Sequence, residues 1–327
     1  MDFSSIKDFL KEDLDKVNKL MATSLSTDIE LLDKTNRAIL SHNGKQVRPV
    51  LTLLVARACS GGFTTDDTIK YAAAVELLHN ATLLHDDVAD DSPVRRGVPT
   101  VMSILGGRAS VLLGDYWLVK GMENILASRN SSDKVIRIFA STLTDLAEGE
   151  LLQLQKAETG DTLEKDYYRI IYDKTASLFV ASAAAGAISV SATEEKMSAA
   201  RTYAKCLGVA FQIRDDIFDY EENVEIGKPV GLDLKEKKIT LPLLGALAKA
   251  GEERGREIRR KLCRIDDHPE YGGEIIEFVK SEGGIEYARK RLYEYVDNAR
   301  IALRPFGNLQ EVEMLCEIAE FTADRKS

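Results

Sequence analysis

The sequence predicts an all-α fold, and three observations predict it. Apolar residues recur at three- and four-residue intervals along most of the chain, the pattern of amphipathic helices. The seven prolines and most glycines fall between those periodic segments. Period-two alternation and hairpin signals are scarce, and no low-complexity linker divides the 327 residues. One all-α domain over residues 1–327 is therefore expected.

The elements follow in order. Phe3 to Leu20 reads as one amphipathic helix, with Phe9, Leu10, Leu14, Val17 and Leu20 on its apolar face, and Ile29 to Ser41 repeats the pattern. His42 to Pro49 is a polar loop. Pro49 suits the first position of a helix that runs from Val50 to Cys59 and ends at Gly61-Gly62. Asp66 opens a stretch leading into an apolar run, Tyr71 to Leu84. Gly97 and Pro99 mark a loop, Val101 to Ile104 a short segment, and Ser110 to Leu126 a helix. Asp133 to Gln155 is long and helical; Asp161 and Leu163 open a short helix; Lys174-Thr175-Ala176 starts a helix of small residues. Thr193 opens the segment that contains the apolar run Tyr203 to Ile213. After a loop from Glu225 to Lys238, Thr240 with Pro242 reads as an N-cap region for Leu243 to Ala250, and Glu252 to Asp324 is charged and amphipathic.

Bulk properties exclude several classes. Hydrophobic residues make up 44% and charged residues 30%, ordinary for a globular protein. The net charge of −9 argues against a nucleic-acid partner. Cys59, Cys206, Cys263 and Cys316 are far apart, which reads as free thiols in a reducing compartment. The first residues carry acids early and no long apolar run, so a secretory signal is not expected. Ala176 to Ala192 is the nearest approach to a membrane span, but its Ala, Ser and Gly content suits a closely packed core helix. A cytoplasmic protein is expected.

The chemistry concentrates where apolar runs end. Leu84-His85 leads into Asp86-Asp87-Val88-Ala89-Asp90-Asp91. Asp86 and Asp90 share a helix face, roughly 5–6 Å apart at Cβ, and repel unless a cation lies between them. A helix C-terminus also disfavours anions, by roughly 0.3–1 kcal/mol each. A locally unfavourable arrangement points to function. Mg²⁺ is the natural occupant: it takes carboxylate oxygens and keeps waters and substrate phosphates in its shell. Alone, such a string is more often solvated surface. Asp215-Asp216-Ile217-Phe218-Asp219 repeats the spacing after a second apolar run, and the pair read as opposing walls of one metal–phosphate site.

A diphosphate needs cations too. Lys45 and Arg48 lie beside a helix start, a good anion site. His79 follows Glu76 by three residues, so that carboxylate is placed to orient its ring. Arg95 and Arg96 follow the first acid cluster and suit phosphate oxygens, or merely balance local charge. Lys174, Lys228 and Lys238 are weak individually, since loop lysines are usually solvated.

Taken with Gly44 to Pro49, Leu84 through Gly97, Glu148-Gly149-Glu150, Lys174-Thr175, Phe211 to Asp219 and Gly227 to Gly231, the chain resembles the trans-isoprenyl (polyprenyl) diphosphate synthases over roughly residues 40 to 245. The resemblance implies antiparallel helices around a deep central cavity, in a homodimer, with peripheral membrane association for product release. It implies stepwise head-to-tail condensation of isopentenyl diphosphate onto an allylic diphosphate such as geranyl or farnesyl diphosphate. Asp86, Asp90, Asp215 and Asp219 would bind three Mg²⁺ ions, with Asp87 and Asp216 completing the catalytic acid motifs. Arg95, Lys174, Lys228 and Lys238 would contact the allylic diphosphate. Lys45, Arg48, His79 and Arg96 would hold isopentenyl diphosphate, and Gln212 would lie near the reacting carbons. In such enzymes an aromatic residue five before the first aspartate closes the product channel. Here that position is Ala81, followed by Thr82, with Leu77, Leu78 and Ala74 on the same wall. An open channel implies a hexaprenyl to decaprenyl product for quinone side chains. Trp117 as a floor would instead give geranylgeranyl or farnesylgeranyl length. Two departures from the pattern are Leu232, where Asn is frequent, and Lys237, where Gly is frequent. A terpene cyclase would normally lack the second DDxxD motif. A non-catalytic partner subunit would usually have lost acid residues, and both motifs are whole here.

Overall fold

A computed structural model describes residues 3–42, 44–95, 97–129, 132–221 and 231–325. The helices are α1 (Phe3–Phe9), α2 (Lys11–Ser24), α3 (Glu30–Ser41), α4 (Val47–Ser60), α5 (Asp66–Ala89), α6 (Val101–Leu105), α7 (Gly107–Leu126), α8 (Ser132–Thr159) and α9 (Glu164–Ile171). A π-helical turn, Tyr172–Ala176, leads into α10 (Ser177–Ser189) and α11 (Glu194–Phe218). Then come α12 (Leu232–Lys235), α13 (Leu241–Lys249), α14 (Glu252–Cys263), α15 (Tyr271–Ser281), α16 (Gly284–Ala302) and α17 (Gln310–Asp324). The fold is all-α, as expected. The only strands among the described residues are β1 (Val94–Arg95) and β2 (Val98–Pro99), an antiparallel pair that periodicity over so few residues does not signal.

Two local expectations need correction, and a third holds in position. The N-terminal helix is two helices, broken at Leu10, although buried Ile6, Leu10, Leu14, Val17 and Met21 keep to one face across the break. Helix α4 begins at Val47, not at Pro49. Proline is still tolerated in its first turn, because the N–H it lacks would have had no partner within the helix. Thr240 does occupy the N-cap position of α13, but its side chain makes no capping hydrogen bond.

The described chain divides into two compact units. The first comprises Met1–Ala140, Ala181–Arg201 and Pro305–Leu315. Its axis is α5, whose N-cap Thr65 accepts from Thr68 N at 3.1 Å while Thr68 Oγ1 accepts from Thr65 N at 3.0 Å. Tyr71 to Val75, Leu77 and Leu78 are fully buried, so this helix is apolar all round because it is enclosed all round. Helix α7 packs on it closely. A Cβ on Gly121 would lie 2.5 Å from Leu78 Cδ1, and one on Gly114 would lie 2.3 Å from His85 Nε2. Only glycine lets these two helices approach so far.

The second unit comprises Ser141–Val180, Thr202–Arg304 and Cys316–Ser327. Here α13 packs on α16, with Leu241, Leu243, Leu292 and Val296 buried. The start of α10 lies against α11 at Gly208, where a Cβ would meet Ala176 Cα at 2.6 Å. That contact presses the π-helical turn onto α11. No helix among the described residues is long and apolar enough to cross a membrane. All four cysteines are free thiols.

Candidate active site

In the first unit the acid motif closes α5, with Asp90 as the C-cap residue. Its three aspartates differ in setting. Asp86 is half-buried and Asp90 exposed, whereas Asp87 is buried and accepts from Arg95 Nε at 2.7 Å. The Arg95 guanidinium therefore neutralises a buried carboxylate, which accords with the local charge-balance reading of that residue. On one side of this pair lies an apolar cavity of about 590 Å³, with Ile39, Leu83, Leu84 and Ile104 in its wall.

The unit also brings Arg48 to His79: Nη1 lies 3.0 Å from Nε2. Arginine only donates, so this His79 nitrogen accepts, and the neutral ring carries its proton on Nδ1. The partner that meets this nitrogen is Arg48, on α4. Lys45 is exposed, one residue before Gln46, whose φ of 54° marks a turn held by Gln46 Nε2 donating to Asn18 Oδ1 at 2.8 Å. Arg96 lies outside the described residues.

In the second unit the motif at the end of α11 repeats the division of labour. Asp215 is half-buried, and Asp216 is buried and accepts from Tyr167 Oη at 2.6 Å and Gln212 Nε2 at 2.9 Å. Gln212 Oε1 in turn accepts from Thr175 Oγ1 at 2.8 Å. Burial pushes the Asp216 carboxyl up to about 7, against these two hydrogen bonds, which favour its charged form. Asp233 is raised as well, by burial and by the charges of Asp216 and Asp219. A cavity of about 110 Å³ lies beside Tyr167, Lys174, Gln212, Asp216, Asp233 and Lys238.

Asp219 spends its carboxylate differently. Oδ1 accepts from Leu232 N at 2.9 Å and Oδ2 from Asp233 N at 3.1 Å, so it caps α12 and anchors the loop that carries Lys238. Lys238 itself pairs with Glu236 and donates its backbone N–H to Asp233 O at 2.8 Å. The departure at Lys237 has a structural cost: its φ is 56°, in the left-handed region that favours glycine, roughly 1–2 kcal/mol for a side chain. Lys237 is held there by an ion pair to Asp266 at 2.5 Å. Lys228 lies outside the described residues.

Lys174 rides on the π-helical turn and pairs with Glu150 Oε2 at 2.5 Å. Such turns interrupt helices frequently at functional sites. Gly149 explains its own motif: a Cβ there would lie 3.0 Å from Lys174 N, so only glycine admits the lysine-bearing turn. Sequence reasoning missed Tyr167 and Asp233, since an isolated tyrosine or loop aspartate carries no spacing signal.

Among the described residues no three His, Cys, Asp or Glu side chains converge into a preformed metal site. Mg²⁺ does not need one, because one or two carboxylates suffice when waters and substrate phosphates complete its shell. Asp86, Asp90 and Asp215 fit that donor set, being carboxylates not fully buried.

The chain-length candidates lie in the first unit. Ala81, Leu78 and Leu77 are fully buried and Thr82 half-buried. The Ala81 carbonyl would meet a Cβ on Gly114 at 3.1 Å, so this stretch of α5 faces α7. Trp117, between the two contact glycines, is fully buried and donates from Nε1 to Asn36 Oδ1 on α3 at 2.8 Å. That hydrogen bond sets the direction of the ring.

In metal-free protein, folded Asp216 stays protonated to about pH 7, whereas the unfolded carboxyl ionises near pH 4. The folded state thus binds the extra proton between those values, and stability declines as pH rises through them. Tyr167→Phe removes a donor to the ionised form, so it should destabilise by about 1–3 kcal/mol at pH 8 and by less at pH 5. Equal losses in denaturation at both pH values would remove Asp216 from the titration.

Known proteins share this sequence and fold over the full chain. Residues 29–277 match the family described as Polyprenyl synthetase. The octaprenyl diphosphate synthase of Escherichia coli K12 is 34% identical over 326 residues, 99% of each chain. A decaprenyl diphosphate synthase structure from Rhodobacter capsulatus superposes with a TM-score of 0.92 at 33% identity, covering 100% of both chains. A Caulobacter crescentus polyprenyl synthase complexed with calcium and isoprenyl diphosphate gives 0.89 at 34% identity, over 100% of this chain and 98% of that one. Identity and superposition of this extent, with both acid motifs whole, show that the chain belongs to the polyprenyl synthetase family and is a prenyltransferase.

Proposed function

We propose that this prenyltransferase condenses isopentenyl diphosphate head-to-tail onto an allylic diphosphate and makes long, all-trans products of hexaprenyl to decaprenyl length. The observation that carries the reading is the repeated motif at two helix ends. In each, a buried second aspartate is clamped by its own donors while the first stays reachable from solvent. Asp86, Asp90 and Asp215, with Asp219 as loop anchor and candidate ligand, serve the metal-bound allylic diphosphate. When bound, Mg²⁺ neutralises charge developing on the leaving diphosphate.

Lys174, Lys238 and Lys228, with Arg95, are assigned to the same diphosphate, where fixed cations stabilise the departing charge. Lys45, Arg48, His79 and Arg96 are assigned to isopentenyl diphosphate. Gln212, tied at both ends to Thr175 and Asp216, presents a fixed amide dipole near the reacting carbons. Among the described residues no side chain stands out as a general base, and the departing diphosphate is assigned the proton lost from the new chain. Long product length rests on Ala81, which leaves the channel wall without a bulky side chain.

A homodimer belongs to this reading. Leu112, Val119 and Leu126, seven residues apart on α7, are exposed and form an apolar row suited to a second copy. A cytoplasmic location fits the four free thiols, and peripheral membrane contact suits release of an apolar product.

The test is chromatography of dephosphorylated products from purified protein, Mg²⁺, labelled isopentenyl diphosphate and farnesyl diphosphate, with an EDTA control. Metal-dependent products of six or more isoprene units are expected. Products of four or five units would shift the floor to a residue such as Trp117. No elongation from any allylic primer would favour the partner-subunit reading.

A further inference from the structure

One buried cation of the second unit has no place in the mechanism above. Arg325, which follows α17, keeps only 9% of its side chain exposed. Its Nη2 donates to Asp215 Oδ1 at 2.7 Å and to Phe211 O at 2.9 Å. The guanidinium lies 3.8 Å from the centroid of the Phe211 ring and 5.7 Å from that of Phe218. Arg214 grips the same residue from behind, with Nε and Nη2 donating to Arg325 O at 3.2 and 3.0 Å. Arg214 is itself fixed over Phe218 at 4.2 Å and to Glu221 at 3.3 Å.

This is unlike a surface ion pair, which contributes little because two long side chains must be immobilised in water. Here stacking and the backbone contact already immobilise the arginine. The carboxylate it holds remains 42% exposed, reachable from solvent while one oxygen is restrained. Asp215 also sits in a crowd of acids with Asp216 and Asp219, and Arg325 places a fixed positive charge beside it. Groups that bind a metal-ligating carboxylate from behind orient it, and losing them typically lowers metal affinity about 10–100-fold.

We propose that Arg325 is a positioning residue: it holds the Asp215 carboxylate in the orientation in which it receives a divalent cation. This rests on the metal-ligand role assigned to Asp215 above. Contact is with Asp215 alone among the acids of the motif, so the effect is on metal affinity before any chemistry.

The test is Mn²⁺ binding to the full chain, read by electron paramagnetic resonance, with a non-reactive allylic thiolodiphosphate present. Wild type, Arg325→Gln and Arg325→Lys are compared, with far-UV circular dichroism as the check on folding. Arg325→Gln should weaken Mn²⁺ binding about ten-fold at unchanged helicity. Arg325→Lys, which keeps the charge but not the stacked plane, should recover part of it. Wild-type affinity in Arg325→Gln would overturn the proposal. So would equal losses in both variants, with or without loss of helicity, because the contact would then be structural only. No diphosphate-dependent Mn²⁺ binding in wild type would overturn the metal assignment itself, and the proposal with it.

Discussion

Replacing Asp86 or Asp215 by alanine should reduce turnover by at least about a thousand-fold, the upper range for one preorganised electrostatic contact. The two variants should part company in stability. Asp86 is half-buried in the last turn of α5, where the helix dipole disfavours an anion. Its loss relieves that unfavourable interaction, about 0.3–1 kcal/mol. Asp215, by contrast, is the carboxylate partner of buried Arg325. Its removal strands a positive charge, so Asp215→Ala should melt earlier than Asp86→Ala. Initial rates with labelled isopentenyl diphosphate, alongside thermal melts in EDTA, separate these effects. Near-normal turnover in both variants would refute the metal assignment.

Ala81→Phe should shorten the product and cost stability at the same time. Ala81 is fully buried where α5 meets α7, opposite Gly114. Glycines at 114 and 121 hold these helices so close that an added ring has no ready space. Overpacking of this kind costs about 1–3 kcal/mol. The ring must push into the space a growing chain needs, or displace Trp117 from Asn36. Product chromatography and a melting curve on one preparation check both parts. An unchanged product would remove Ala81 from the channel wall, whatever the melting curve showed.

The fold class and most helices are legible from periodicity, because an enclosed helix must place apolar residues on every turn that faces the core. The acid motifs are legible for the opposite reason: closely spaced carboxylates at the end of an apolar helix are locally unfavourable and need a compensating role. Glycine alone is less readable. Gly149 looks like an ordinary helix glycine until the backbone of Lys174 is seen against it.

The all-α class, the two acid motifs and the cationic residues near them are written in the local sequence. These depend on residues close in the chain, where spacing and helix geometry decide who shares a face. Tertiary structure alone decided which aspartates are clamped and by what. Asp87 meets Arg95 through a two-residue strand pair, Asp216 meets Tyr167 across 49 residues, and Asp215 meets Arg325 across 110. It also decided that Asp219 caps α12 and that Lys174 stands on a π-helical turn. Such pairings leave no periodic trace. They arise because a carboxylate taken out of water must find a donor, and packing determines which donor arrives beside it.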